Sequence, residues 1–340
     1  MSVRDLALPK IGGILDPKLP HVPLGHAVEH IVNWLNDNLG PLLDGISSVV
    51  SDCVNGLTDV LLFVPWTLMI VLLAALGWWL RTWRFAIFAV LGPLLIVSLG
   101  LWDSAMKTLG LIVVAGVIAL ILAIPIGVAA AQSRMVSRIV KPVLDLMQTM
   151  PAFVYLIPAV ILFSLGTVPG VVATVVFAMP PGVRLTELGI RQVDPEVVEA
   201  GEAFGAAPFK VLARIKLPLA LGTIMAGVNQ VIMLSLSMVV IAGMVGAEGL
   251  GSTVTGALAQ VAVGPGAEAG VSIVILAIYL DRITEALGAR MAPVAKLERK
   301  MRRLSRKITR NRSAAAEAET TDAGQAGAER AGDRTVGADA

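Results

Sequence analysis

The chain has 340 residues, of which 56% are hydrophobic and only 15% are charged, and its formal net charge is +2. Soluble chains carry about 25% charged residues, so this composition excludes an ordinary soluble domain and predicts a protein that crosses a membrane several times. The single cysteine, Cys53, excludes an intramolecular disulfide and any metal site that needs several cysteines.

Residues 1–60 are predicted to form an extracytoplasmic segment with two amphipathic helices, separated by a kink at Gly40-Pro41. One stripe comprises Val28, Ile31, Val32, Leu35, Leu39, Leu42 and Leu43, and the other comprises Ile46, Val49, Val50, Cys53, Val54 and Leu57. Such stripes fit helices that lie in the outer membrane interface. Packing against the top of the helical bundle explains them equally well, and the sequence leaves both readings open.

Seven segments are apolar enough to cross about 30 Å of hydrocarbon, which requires roughly 20 residues. They are Leu61–Leu80, Phe85–Trp102, Thr108–Ala131, Met147–Leu165, Val168–Ile190, Pro218–Val245 and Ala269–Leu287. Each must be helical, because a lone segment in lipid has to satisfy its own backbone hydrogen bonds. The predicted fold is therefore an all-α integral membrane protein with about seven transmembrane helices. Residues 61–102 would supply two peripheral helices, and residues 103–290 a core domain of five.

The placement of lysine and arginine predicts the orientation of the chain. Basic residues follow the first, third, fifth and seventh segments, whereas none occurs in residues 19–80 or 217–281. Lys107, between the second and third segments, is the one clear exception to this one-sided distribution. Because basic loops stay in the cytoplasm, the N-terminus is predicted outside and the C-terminus inside, in a multi-pass protein of the cell membrane.

The cytoplasmic tail, residues 291–340, changes character along its length. Residues 296–312 are strongly basic and are predicted to contact anionic membrane lipid. Residues 313–340 have no apolar stripe and are predicted to be disordered. A juxtamembrane position already accounts for the basic run, so no nucleic-acid partner is predicted.

The loop between the fifth and sixth segments, residues 191–217, carries the strongest functional signal. Asp194 is a good helix N-cap, Pro195 suits the first helical position and Gly205 is a plausible stop. These signals predict a helix of about two turns, exposed in the cytoplasm.

The spacing in this loop resembles the EAA loop of ATP-binding cassette (ABC) importer permeases. The matching residues are Glu199, Ala200, Gly201, Gly205, Ile215, Leu217 and Pro218. The departure is Gly201, which stands where the family usually has alanine and which costs about 0.8–1 kcal/mol in a helix interior. The resemblance implies that this helix docks in a groove of a separate ATPase. A glycine there would let the partner approach closely.

No catalytic site is predicted. The sequence has no Walker A loop, no nucleophile–base pair and no metal-spaced cluster, so ATP and magnesium are expected on the partner ATPase rather than on this chain. His26 and His30 are four residues apart, but two histidines make an incomplete metal site. We therefore predict a transport subunit that is not an enzyme and binds no metal or cofactor.

The resemblance is greatest to permeases of glycine betaine/proline betaine (ProU-like) importers, and it covers roughly residues 27–287. The matching stretches are Met147–Pro158, Val168–Gly170, Pro180–Thr186, Met225–Gln230 and Leu236–Ala242. The resemblance implies a type I ABC importer permease fold and a homodimeric pathway for osmoprotectants. It also implies two ATPase subunits and an extracytoplasmic substrate-binding protein as partners.

Polar residues within or near the apolar segments indicate a pathway. Burying an unpaired amide costs several kcal/mol, so Gln148, Asn229 and Gln230 should face either a wet cavity or one another. Lining a cavity and hydrogen bonding between helices explain these amides equally well, and the sequence leaves both readings open. Phe153 and Tyr155 could present an aromatic face to a quaternary ammonium, although plain packing also explains them. The candidate pathway and gate residues are Gln148, Met150, Pro151, Phe153, Tyr155, Asn229, Gln230, Ser235 and Ser237.

The sequence leaves two other functions as alternatives. A permease of the same architecture could carry choline, proline or another small solute. A secondary transporter acting alone is disfavoured, because the docking loop is complete and no membrane-embedded acidic cluster appears.

Overall fold

The computed structural model describes residues 24–291, and of residues 24–29, 31, 32 and 36 it describes the backbone alone. Within that range the chain is helical and has no β-strand. The helices are α1 (Leu24–Phe63), α2 (Trp66–Leu80), α3 (Trp83–Ser98), α4 (Trp102–Gln132), α5 (Arg134–Thr149), α6 (Ala152–Phe163), α7 (Thr167–Arg191), α8 (Pro195–Ala203), α9 (Pro208–Val211), α10 (Leu217–Met244), α11 (Leu250–Ala259) and α12 (Val263–Met291). His21 and the predicted basic and disordered tail lie outside the described residues.

The described part of the N-terminal segment, from Leu24 onward, is one continuous helix, α1, with Pro41 inside it rather than two separate helices. Only part of the second predicted stripe is buried: Val50 and Val54 lie against α4 and α7, whereas Val49 is 61% exposed. At Gly110 of α4, an added Cβ would lie 2.6 Å from the hydroxyl oxygen of Thr58. The last turns of α1 therefore pack on the bundle, as one of the two readings of these stripes required.

The first predicted span, Leu61–Leu80, is broken, so its predicted start is wrong. Helix α1 ends at Phe63, and α2 begins after Pro65, whose backbone is extended. Proline has no N–H and restricts the residue before it to extended conformations. The helices α2 and α3 are only 15 and 16 residues long. They form a hairpin against α12, in which the Phe85 ring stacks on Tyr279 at 5.8 Å.

The core is formed by α4, α7 and α10, which meet through small side chains. Ala115 and Ala119 of α4, Ala178 of α7 and Val231 of α10 are fully buried in one cluster. Small residues let the backbones of membrane helices approach closely, where dispersion contacts replace the hydrophobic effect. The apolar composition of these segments thus serves packing as well as solubility in lipid.

The prediction of one continuous helix over Met147–Leu165 is wrong, because two helices meet there at 100°. Met150 has an extended backbone, as expected for the residue before Pro151, and Pro151 opens α6. Helix α5 is strongly amphipathic, whereas α6 is apolar and only 12 residues long. Twelve residues extend about 18 Å, so α6 alone is too short to cross a bilayer.

Helix α11 has no counterpart among the predicted elements. It follows a turn in which Gly246 and Gly249 have φ values of +95° and +127°. An added Cβ at Gly251 would lie 2.1 Å from the carbonyl oxygen of Val239, so α11 lies directly on the α10 backbone. The Thr108 hydroxyl accepts the Leu250 N–H at 2.8 Å and ties α11 to α4.

By length and composition, five helical segments of the described chain could span a membrane, or six if the bent α5–α6 pair is one broken span. The segment Asp37–Phe63 of α1 is one of the five, while α2, α3 and α11 are shorter apolar helices. The all-α membrane fold is as predicted. The orientation and the domain boundaries remain predictions.

The α10–α11 contact provides a test of this packing. Gly251→Ala should destabilise the protein by about 1–3 kcal/mol, because the new methyl group meets rigid backbone. Gly256→Ala is the matched control in the same helix, where nothing lies within 4 Å of the added Cβ. Thermal unfolding in detergent should separate the two variants, and equal midpoints would contradict the close approach.

Candidate functional site

The predicted loop helix is present as α8. The Asp194 carboxylate accepts the Glu196 N–H at 2.9 Å, and Pro195 occupies the first turn. None of the residues of α8 is buried. The helix therefore protrudes from the bundle, with Glu199 and Ala200 exposed on it.

Gly205 ends α8 for a conformational reason. Its φ is +76°, a left-handed conformation that residues with a side chain rarely adopt. The Gly205 N–H donates to the Glu202 carbonyl at 2.8 Å, and the Ala206 N–H donates to the Gly201 carbonyl at 3.2 Å. This is a Schellman ending, which satisfies carbonyls that the last turn would otherwise leave unpaired.

Gly201 faces its own chain. An added Cβ there would lie 2.4 Å from Cδ1 of Ile215, so the glycine accommodates Ile215 as well as any partner. Ile215 lies in a π-helical turn, Leu212–Lys216, that joins α9 to α10. Two residues of the motif that are distant in sequence thus touch. Leu217 and Pro218 then begin α10.

Exposed apolar side chains lie in α8 and in the residues that follow it. Phe204 is 92% exposed, Phe209 is 75% exposed, and Val197 is also exposed. We call these three residues the loop face. Sequence reasoning did not select them, although two phenylalanines in a short polar loop without an apolar stripe are a recognisable signal. Three exposed apolar side chains within one protruding loop favour an interaction surface.

A buried carboxylate anchors the base of the loop. Glu187, near the end of α7, is 4% exposed. It accepts the Ser137 hydroxyl at 2.7 Å and pairs with Arg191 at 2.9 Å and with Lys141 at 3.6 Å. The Arg191 guanidinium also donates to the Ala130 carbonyl of α4 at 2.8 Å. This Glu187 cluster, which sequence reasoning missed, ties α7 to α4 and α5 just before the loop begins.

Two of the candidate pathway residues lie in the interior of the chain. Ser235 is fully buried, and its hydroxyl donates to the Val231 carbonyl at 2.9 Å. Tyr155 is buried against Phe177, with 6.1 Å between the ring centroids, and its hydroxyl donates to the Met147 carbonyl. Both are therefore packing residues in this single chain.

The remaining candidates lie at or near the surface. Gln148, Pro151, Phe153, Gln230 and Ser237 are exposed, while Met150 is half-buried beside Tyr155. Asn229 is half-buried and hydrogen-bonded: its amide donates to Asp281 at 2.9 Å and its carbonyl accepts the Thr284 hydroxyl at 2.6 Å. Of the two readings of Asn229, the structure shows hydrogen bonding between helices, here between α10 and α12.

The exposed face of α10 is unusual for a membrane helix. Between Gly222 and Ser237 its exposed residues recur at helical spacing and are small, polar or flexible: Gly222, Ala226, Gln230, Met233 and Ser237. We call this set the α10 stripe. By contrast, the exposed face of α2 carries Val71, Leu72, Leu76, Trp78 and Trp79. Large apolar residues suit contact with lipid tails, whereas the α10 stripe suits water or another protein surface.

Helices α6 and α12 flank the α10 stripe. On one side Met238 and Ile241 pack against Tyr155 and Leu156 of α6. On the other side Leu236 packs towards Ala277 and Leu280 of α12.

Two adjacent cavities of about 380 and 310 Å³ lie in the groove between α10 and α12. The first is lined by Met233, Leu236, Ser237, Ile273, Ala277, Ile278 and Asp281, and the second by Gly222, Met225, Ala226, Asn229, Thr284, Glu285, Gly288 and Ala289.

Among the described residues, no group of three or more histidine, cysteine, aspartate or glutamate side chains has metal-binding geometry.

The chain is similar to known membrane components of transport systems. Residues 123–293 match the model of the family described as "Binding-protein-dependent transport system inner membrane component". The chain is 51% identical over 268 residues to the glycine betaine transport system permease protein OpuAB of Bacillus subtilis (strain 168), covering 79% of this chain and 95% of that protein. It is 47% identical over 278 residues to the glycine betaine/carnitine transport permease protein GbuB of Listeria monocytogenes serotype 1/2a, covering 79% and 97% of the two chains.

A solved structure shares the fold. A chain of the inward-facing MetNI methionine ABC transporter is similar with a TM-score of 0.50 at 20% identity, over 54% of this chain and 92% of that one.

The Glu187 cluster leads to a stability prediction. Glu187→Ala should destabilise the protein by about 1–3 kcal/mol, because it leaves the buried Ser137 hydroxyl without its acceptor and the partly exposed Arg191 and Lys141 without their counter-charge. Glu202→Ala removes an exposed carboxylate from α8 and should change stability by no more than about 0.5 kcal/mol. Thermal unfolding in detergent compares the two, and a Glu187→Ala protein as stable as the wild type would show that the cluster does not hold these helices.

Proposed function

We propose that this chain, which belongs to the family of binding-protein-dependent transport system inner membrane components, is the pathway-forming permease of an ATP-driven importer of glycine betaine and related quaternary ammonium osmoprotectants. The observation that carries the proposal is the near-complete alignment with permeases named for glycine betaine transport. The loop helix and the polar stripe of α10 are consistent with it. ATP and its magnesium ion would bind to a separate ATPase, and an extracytoplasmic binding protein would deliver the solute.

A homodimer accounts for the α10 stripe. Gln230 and Ser237 are exposed on α10, which is long and apolar enough to span a membrane, and polar side chains inside a membrane face a wet cavity or another protein rather than lipid. One chain presents this stripe on an open surface between α6 and α12. A second copy facing the first would enclose a pathway lined by Gln148, Gln230 and Ser237 from both.

Coupling to the ATPase would run through α8. Its Glu199 and the phenylalanines of the loop face are exposed, and no side chain of α8 is buried in its own bundle. An apolar anchor such as Phe204, placed in a pocket of the partner, is the kind of residue that dominates interface energetics. The Glu187 cluster at one end of the loop and the π-helical turn at the other would carry movement of α8 into α7 and α10.

The orientation can be tested with single cysteines. Cys53 is exposed on α1 and should react with an impermeant maleimide in intact cells, because residues 19–80 contain no lysine or arginine. Glu202→Cys in a Cys53→Ser background places the only thiol on α8, where it should react only after the cells are permeabilised. Labelling of both positions in intact cells would refute the topology.

The proposed activity can be tested by reconstitution. Vesicles that contain this chain, its ATPase and its loaded binding protein should accumulate radiolabelled glycine betaine when ATP is supplied. Glu199→Lys and Phe204→Ala should lower the uptake at least tenfold, since a loss of about 1.4 kcal/mol in docking already corresponds to tenfold. Both positions are exposed, so both variants should remain folded in the membrane.

Two controls separate docking from folding. Glu196→Lys changes a neighbouring exposed carboxylate of α8 in the same way as Glu199→Lys and should weaken docking less. Asparagine tolerates the left-handed backbone of position 205, whereas valine does not. Gly205→Asn therefore tests the added side chain alone, and Gly205→Val also tests the backbone conformation. If Glu199→Lys and Phe204→Ala both retain the ATPase on purification and transport normally, α8 is not the coupling element.

A further inference from the structure

We propose that Asp281 of α12 is a specificity-determining residue of the pathway, where its carboxylate contacts the quaternary ammonium group of the solute in transit. The proposal rests on the function proposed above. It concerns a residue that the sequence did not single out and that lies in the groove between α10 and α12.

The surroundings of Asp281 form a small polar bridge across this groove. The Asn229 amide donates to Oδ1 of Asp281 at 2.9 Å, and the Thr284 hydroxyl donates to the other end of the same amide at 2.6 Å. This arrangement orients the amide, because its oxygen and its nitrogen are both engaged. It holds the carboxylate at the boundary between the two cavities.

The charge of Asp281 is only partly compensated. Its second oxygen, Oδ2, lies 3.7 Å from Nε of Arg282, which is too long for a hydrogen bond. The Arg282 guanidinium instead donates to Glu285 at 3.2 Å, and Glu285 also pairs with Arg81 at 2.7 Å. The two arginines are thus drawn towards Glu285, which leaves Oδ2 as an acceptor without a close donor among the described residues.

The position of Asp281 indicates that it faces water rather than lipid. It lies 18 residues after the start of α12, or about 27 Å along the helix, and its side chain is 28% exposed. An ionised carboxylate facing hydrocarbon costs about 2.5–3.5 kcal/mol or more. The same groove carries the α10 stripe, so the carboxylate and the stripe line one hydrated surface.

The chemistry of the cavity suits a methylated ammonium group. Met233, Ile273 and Ile278 supply apolar surface, and Asp281 supplies the negative charge. A quaternary ammonium has no N–H to donate, so apolar contact and a nearby carboxylate are what it can use. No aromatic residue is among those that line this cavity in the described chain. The contact would therefore be weak, as a pathway requires for release.

Thiol-reactive probes of opposite charge can test the proposal directly. Ser237→Cys in a Cys53→Ser background places one thiol in the cavity that Asp281 lines. Its rates of reaction should be measured with the trimethylammonium-ethyl and the sulfonato-ethyl methanethiosulfonates, in the assembled complex. The ratio of cationic to anionic rate should fall at least about tenfold in Asp281→Asn, because a cleft of one charge raises local counter-ion concentration by that order.

Two further variants separate the charge of Asp281 from its shape and from charge elsewhere on the protein. Asp281→Glu retains the charge and should restore most of the ratio, while Asp103→Asn removes an exposed carboxylate at the start of α4 and should leave it unchanged. Glycine betaine should slow the cationic reagent in the Asp281 protein and not in Asp281→Asn. A ratio that Asp281→Asn leaves unaltered, a thiol that reacts with neither reagent, or an absence of protection would overturn the proposal. If the ratio shifts but the wild-type complex imports no glycine betaine, the proposed function fails while the charged groove stands.

Discussion

The close contact of α4, α7 and α10 is the interaction on which the rest of the structure depends. In lipid, helices gain little from the hydrophobic effect on meeting one another, so their association relies on dispersion contacts between closely spaced backbones. Glycine and alanine provide that spacing here: an added Cβ at Gly182 of α7 would lie 2.9 Å from Cβ of Ala123 in α4, and one at Gly170 would lie 2.8 Å from Cβ of Ala242 in α10. Because this packing fixes α7 and α10 side by side, it also fixes the two ends of the loop that joins them.

The functional surfaces lie where the bundle deviates from regular transmembrane helices. The break before Pro151 turns α5 away from α6, and the π-helical turn at residues 212–216 connects the loop to α10. The α10 stripe is left uncovered between α6, which packs on Met238, and α12, which packs on Leu236. Helix α8 is held from both sides, by the Glu187 cluster and by the contact between Gly201 and Ile215.

Much of this architecture could be read from the sequence, because local signals decide it. Asp194, Pro195 and Gly205 set the bounds of α8 through capping and backbone conformation, and the long apolar stretches predicted α4, α7, α10 and α12. The break within Met147–Leu165 was missed because hydropathy averages over a proline that divides two helices. Glu187 and Asp281 were missed because their importance comes from contacts with residues on other helices, such as Ser137 and Asn229. Tyr155 and Ser235 have the right chemistry for a pathway, but tertiary packing turns both inward.

The π-helical turn has a further consequence for the rotational phase of α10. A π turn accommodates one extra residue within a helix, and each residue of an α-helix turns the chain by about 100°. The segment from Leu212 to Lys216 can thus absorb one residue without turning α10 about its own axis. One residue added to or removed from the regular part of α10 before Gln230 would instead turn that side chain by about 100° relative to the loop. The polar lining of α10 therefore depends on the register between the loop and α10 as much as on the identity of the residues in it.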